Sequence, residues 1–292
     1  MNIQPILIRR ELWEHRSLWI VPLVVAALVI IAAMFPRAAV QIDDVDLTAA
    51  QNHVALFAVF HSALTIPQFI LLAVVLPLYL LDCLYAERKD RSILFWKSLP
   101  VSDAQTVLSK LIVALAVVPL GVYVLTLVTD IAASGILAVR FRNSEFLRNL
   151  LRWDTGVWLH TQGFILTALV VVMLWYAPIA AYLLMVSAWA KRNVTLWATI
   201  PPLLALVVER IAFHTNYVGE ILGYRLNGIW GSLGIEHELT GKPDLVGQKV
   251  SAAMGHISPL SALQNIDLWL GLVVTVALVW LTIRIRRHQT ES

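Results

Sequence analysis

The sequence predicts an all-α polytopic membrane protein, a single transmembrane domain over residues 1–292 with six membrane-crossing helices. Three observations carry that prediction. Hydrophobic residues make up 59% of the chain and charged residues 14%, with a mean hydropathy of +0.75, too little polarity to cover a water-soluble core of this size. The apolar residues fall in runs of about eighteen or more, the length that crosses the hydrocarbon of a bilayer. The charges collect in the short segments between those runs.

Taken in order, the first span is expected over 18–35, after a mixed segment, IQPILIRRELWEHR. Glu11 and Glu14 interrupt the basic residues there, and the apolar run that follows is long enough to span, so the segment reads as a retained anchor rather than a cleavable signal. The second span is expected over 55–81, ending near Asp82. The third, over 105–128, has a defined start: Ser102-Asp103-Ala104-Gln105 is a capping box, with Asp103 adding negative charge at the positive end of the helix. FRNSEFLRNLLRW, around 140–152, reads as an amphipathic surface helix with Phe141, Leu147, Leu150, Leu151 and Trp153 towards lipid. The fourth span is expected over 163–189 and the fifth over 194–213, the latter kinked by Pro201 and Pro202. Residues 214–265 are Gly-rich, mix apolar with polar residues and lack the period of a long helix, which suggests short re-entrant helices. The sixth span is expected over 266–283.

Basic residues set the orientation. With both termini in the cytoplasm, the inner segments hold twelve Lys and Arg residues and the outer ones nine. The arginines at 140–152 run against this bias; placing them inside would require one span to be miscounted. The formal charge of +3 is too small to suggest a nucleic-acid partner, and one cysteine, Cys83, excludes an internal disulfide. His53, His61, His214 and His237 are scattered without metal-ligand spacing.

The loop over 87–103, ERKDRSILFWKSLPVSD, sets Phe95 and Trp96 among charges between two spans. Asp90 or Ser92 can cap a short helix that Pro100 ends. Its aromatics read either as interfacial anchors in the headgroups or as the buried anchors of a docking helix on a cytosolic partner. The stretch resembles the cytoplasmic loop between the second and third spans of ABC-2 type transporter permeases. The six-span layout, the N-terminal segment (residues 1–17, an elbow helix in that family) and the extended segment before the last span are similar too. The resemblance implies a coupling helix here, seated in a cleft of a separate ATPase subunit, with Asp90, Arg91, Ser92, Phe95, Trp96 and Lys97 at the contact. It further implies two copies of that cytosolic subunit carrying ATP and Mg, a second copy of this chain or a similar permease, and multi-pass placement in the cytoplasmic (inner) membrane. The basic 140–152 segment has no counterpart in the family pattern.

The chain itself lacks G-x-x-x-x-G-K-[ST]; its one Gly-Lys pair, Gly241-Lys242, precedes Pro243. ATP hydrolysis is therefore expected elsewhere, and this polypeptide is expected to be neither an enzyme nor a cofactor holder. Lys191 and Arg192 read as a second, smaller contact with the motor or as ordinary positive-inside anchoring. His61, Thr65 and Gln68 share one face of the second span at i, i+4 and i+7. They read as a polar wall of a translocation path or as interhelical hydrogen bonds worth roughly 0.6–2 kcal/mol each. Glu209 and Arg210 read as an outer gate or an interface marker. The leading expectation is an exporter's membrane subunit acting on a lipophilic or amphipathic substrate. The alternatives are a motor-coupled assembly or signalling protein, and an intramembrane enzyme, for which no nucleophile constellation is visible.

Overall fold

The computed structural model describes residues 4–35, 50–90, 101–143, 152–232 and 259–288. All regular structure among them is helical: α1 (Gln4–Glu14), α2 (Ser17–Met34), α3 (Ala50–Lys89), α4 (Asp103–Arg140), α5 (Thr155–Trp189), α6 (Val194–Phe213), α7 (Tyr217–Ser232) and α8 (Ile266–His288), with a 3₁₀ segment at Pro259–Gln264. Six of these, α2 to α6 and α8, are long and apolar enough to cross a membrane, so the chain is a multi-pass membrane protein. They alternate in direction. The ends of α3, α5 and α8 therefore gather with the starts of α2, α4 and α6 at the end of the bundle that carries α1, here called the near end.

The core is built from one face of α3. Leu72, Leu76, Leu80 and Leu84 recur every four residues and are buried against Val107, Val113, Ala114, Val118 and Val122 of α4 and Ala180, Ala181, Leu184 and Ala188 of α5. The small residues of α5 let the helices approach closely, the packing that membrane bundles use in place of a hydrophobic drive. Ser187 Oγ uses that proximity to accept from the backbone amides of Leu84 and Tyr85, each at 3.1 Å. A π-helical turn at Val113–Val117 interrupts α4. At the opposite, far end, Trp175 and Leu268 pack with Ile229 of α7 and Ala262 of the 3₁₀ segment.

Several spans are longer than hydropathy predicts. The second runs to Lys89 rather than ending near Asp82, so Glu87, Arg88 and Lys89, expected in the loop, are helical. The third continues to Arg140 rather than 128, and the fourth begins at Thr155 rather than 163. That earlier start is capped: Asp154 Oδ1 accepts from the amides of Gly156 and Val157 at 2.9 and 3.0 Å. Residues 141–143 form a turn and 152–154 are non-helical, which trims both ends of the amphipathic helix expected at 140–152; residues 144–151 lie outside the described residues. Trp153 is exposed, with its ring 5.4 Å from that of Trp158 and 5.7 Å from His61.

The fifth span falls where it was expected, and its helix runs through both prolines to Val208 before a π-helical turn at Glu209–Phe213. Pro202 has no N–H for the carbonyl of Ala198; the Tyr182 hydroxyl donates to that carbonyl instead, at 3.0 Å. In the segment expected to hold short helices, α7 is a single helix of 16 residues, and 233–258 lie outside the described residues.

Candidate functional site

Two charged clusters lie inside this apolar bundle, one at each end. The near-end cluster centres on Lys110, about two turns into α4 and wholly buried. Its Nζ lies 2.7 Å from Glu11 Oε1 of α1 and 3.0 Å from Glu87 Oε1 of α3. Arg286 of α8 adds the next link, with Nη1 2.8 Å from Glu87 Oε2 and Nε 2.9 Å from Asp103 Oδ1. Arg10 completes the set, 2.7 Å from Glu14 and 3.5 Å from Glu87. The Tyr79 hydroxyl donates to Glu11 Oε2 at 3.1 Å. Four helices are thus joined by carboxylates that each meet a lysine or arginine, the condition under which buried charge is tolerated.

This cluster brackets the loop singled out by sequence. Glu87 stands in the last turn of α3 before it, and Asp103 in the first turn of α4 after it. The expected capping box is present: Gln105 N donates to Ser102 Oγ at 3.2 Å and Ser102 N donates to Gln105 Oε1 at 3.0 Å. Asp90 forms an exposed turn, its amide bonded to Ala86 O at 2.9 Å. Arg91, Ser92, Phe95, Trp96 and Lys97 lie outside the described residues.

Arg88 connects this loop to the next one. Its Nη2 donates to the carbonyls of Ser187 and Ala190 at 2.6 and 2.7 Å, holding the C-terminal end of α5. Lys191 and Arg192 follow as an exposed bend, and Asn193 enters α6 with φ +48°. Two of the segments expected to meet a motor therefore start side by side. The exposed rings of Trp189 and Trp197 flank the bend, 4.8 Å apart. His15, between α1 and α2, meets the Tyr79 ring edge-on at 4.9 Å. Burial lowers its pKa below the ordinary histidine value, with the Glu11 carboxylate acting against the shift.

The far-end cluster is built differently. Asp130 of α4 is wholly buried. His61 Nδ1 lies 2.7 Å from its Oδ1, while Trp158 Nε1 and Gln162 Nε2 of α5 donate to Oδ2 at 2.8 and 3.1 Å. Phe57, Phe60 and Trp153 surround the imidazole, with Phe57 nearest at 4.1 Å between ring centres. The other two residues of the predicted polar face separate: Thr65 bonds within its own helix to Ser62 O at 2.8 Å, and Gln68 is wholly buried with neither amide atom partnered.

Glu209 and Arg210 also part company. Glu209 turns in to accept from Thr215 Oγ1 (2.9 Å), Tyr217 N (2.6 Å) and Val218 N (2.8 Å), which caps the start of α7, whereas Arg210 is exposed. Nearby, Arg225 of α7 stacks over Trp175 at 4.6 Å and donates to Asp267 O at 3.0 Å.

Sequence reading singled out His61 but not its partner Asp130, nor the roles of Lys110 and Arg286. The signal was present for the first two, as single charges inside otherwise apolar runs, LTLVTDIAAS and LSKLIVALAV. Among the described residues no group of three His, Cys, Asp or Glu side chains is placed to hold a metal ion. Comparisons with protein families, with characterised proteins and with solved structures found no match to this chain.

Proposed function

We propose that this chain is the membrane-spanning permease subunit of an ATP-driven exporter of the ABC-2 type, moved by a separate ATPase. The observation that supports it best is the near-end cluster: both ends of the 91–102 connection are bonded through Glu87 and Asp103 to Arg286, and Glu87 is bonded through Lys110 to the helix that bears Glu11. The helix ends on either side of this loop are thus tied to other helices by ion pairs. A push on it would be delivered to α1, α3, α4 and α8 together, as a handle on a motor requires.

In this reading the near end faces the cytoplasm of a bacterial-type inner membrane. There α1 acts as an elbow, residues 92–99 dock with Phe95 and Trp96 in a cleft of the ATPase, and Lys191 and Arg192 make a lesser contact beside them. At the far end α7 is a re-entrant element. Two copies of the permease, or this chain and a similar one, work with two ATPases that hold ATP and Mg. Nucleotide drives the change by binding one arrangement of the assembly better than the other. The mostly apolar spans favour a lipophilic or amphipathic cargo.

Purification of the chain from its own host in mild detergent, with mass spectrometry of what accompanies it, tests the proposal. A stoichiometric protein bearing a phosphate-binding G-x-x-x-x-G-K-[ST] loop is the expected result. Trp96→Ala or Phe95→Ala should then weaken that association by ~2 kcal/mol or more while the permease stays folded. A chain that emerges alone, with and without ATP analogues, would defeat the reading and favour a scaffold or an intramembrane enzyme.

A further inference from the structure

The far-end cluster differs from the near-end one in a way that bears on what it binds. At the near end, Glu11, Glu87 and Asp103 meet the lysine and arginine side chains of Lys110, Arg286 and Arg10. Asp130 has no such partner among the described residues. Two of its three hydrogen-bond donors, Trp158 and Gln162, are neutral side chains that never ionise, and the third is His61.

Other described groups do not change this balance. α2, which packs on both α3 and α4, contains no titratable residue over Ser17–Met34. On α5, His160 is exposed and Asp154 is committed to the helix cap. Arg152 is exposed on the segment that leads into α5. On α6, Glu209 is committed to α7 and Arg210 is exposed. On α4, Arg140 is exposed at the helix end, ten residues beyond Asp130, and Lys110 belongs to the other cluster.

We infer that His61 and Asp130 form a binding site for a single proton, and that the sealed arrangement of α3, α4 and α5 holds it as an imidazolium–carboxylate pair. The balance is simple. Neutral His61 donates Nδ1–H to Asp130 Oδ1 and leaves the pair with one negative charge. A proton from water, added at Nε2, brings the pair to zero without breaking that hydrogen bond. A lone negative charge in an apolar, water-excluding interface is costly, and a neutral pair is far less so. An arrangement that admitted water between the three helices would lessen that difference and let the proton go.

Neighbouring polar atoms suit such an exchange. Gln162 Oε1 and Ser134 Oγ, the latter one turn from Asp130 on α4, are buried with no partner, as is the amide of Gln68 on the His61 face of α3. They supply hydrogen-bonding groups along an otherwise apolar interface. This inference does not depend on the exporter reading, because the pair and its surroundings belong to this chain alone.

The test is ¹⁵N-histidine NMR of the full chain in lipid nanodiscs at neutral pH, with the His61 signal assigned by subtracting the spectrum of His61→Gln. If that variant fails to fold, a chain with the other seven histidines replaced gives the same assignment. The expected result is a doubly protonated ring for His61 in the wild-type chain, lost to a neutral tautomer in Asp130→Asn. A neutral His61 ring in the wild-type chain overturns the inference, and that spectrum decides without any variant at Asp130. A doubly protonated ring that persists in a folded Asp130→Asn chain also overturns it, because the proton would then owe nothing to the pair.

Discussion

At the near end, three buried or half-buried acids are neutralised by a lysine and two arginines drawn from α1, α4 and α8. At the far end, one wholly buried acid meets a histidine and two neutral donors. Both arrangements satisfy the hydrogen bonds of a carboxylate away from water, yet they differ in what can change them. The first ties four helices together by ion pairs to lysine and arginine, so it suits the transmission of a push. The second can be rebalanced by one proton, so it suits a response. A bundle that combines them has a rigid end and an adjustable end.

The largest expected effect comes from breaking the rigid end. Lys110→Met would leave two carboxylates facing an apolar side chain and should destabilise the chain by about 3–5 kcal/mol, read from denaturant unfolding in detergent. Adding Glu11→Leu should recover part of that loss, because Glu87 keeps Arg286. A double variant less stable than the single one would contradict the charge-balance account.

The far end should lose less. Asp130→Asn keeps the shape and most hydrogen-bonding positions, and about 1–3 kcal/mol is expected in the same assay. A loss as large as that for Lys110→Met would mean that the two clusters do not differ as described.

A smaller effect should follow at a third solution to the same problem. Arg225 offsets its burial by stacking on Trp175 and by donating to Asp267 O rather than by a close carboxylate. Gly271 allows this, since a Cβ there would collide with Arg225 Nη2. Gly271→Ala should cost roughly 1–2 kcal/mol through the displaced guanidinium. An unchanged midpoint would show that the arginine has another equally good seat.

The smallest effect concerns pH. Burial lowers the His15 pKa in the folded chain, so the unfolded chain binds the proton more readily. Its contribution to stability is complete above the unfolded value of about 6.5 and is lost as pH falls below it. Comparing His15→Gln with wild type across that range should show the variant's relative stability rising towards acid. A flat difference would assign no linkage to this ring.

How much of this was legible beforehand depends on the range of each interaction. The capping box at Ser102 and Gln105 involves residues three apart, and it was found where the sequence put it. Span positions were also legible, because a bilayer demands a minimum apolar length. Span ends were not. Hydropathy stops α3 near Asp82, but Glu87 and Arg88 extend the helix because other helices complete them. The partner of Glu87 in that last contact is 199 residues away, and no local pattern contains it. His61 was picked out with Thr65 and Gln68 by a shared helix face, a rule that locates a side but not the neighbour that will occupy it. Only Asp130 separates His61 from the other two. The family resemblance rests on 87–103, and most of its carrying residues lie outside the described residues.

The near-end cluster also orders the making of the protein. Glu11 emerges from the ribosome first, Lys110 about a hundred residues later, and Arg286 well over a hundred residues after that. Until α8 is inserted, Asp103 lacks the guanidinium that meets it here, and Glu87 lacks one of its cations. Helix α8 thus works as a clasp. A chain cut short before it would leave acid unmatched at the membrane boundary, marking an unfinished product by its charge alone.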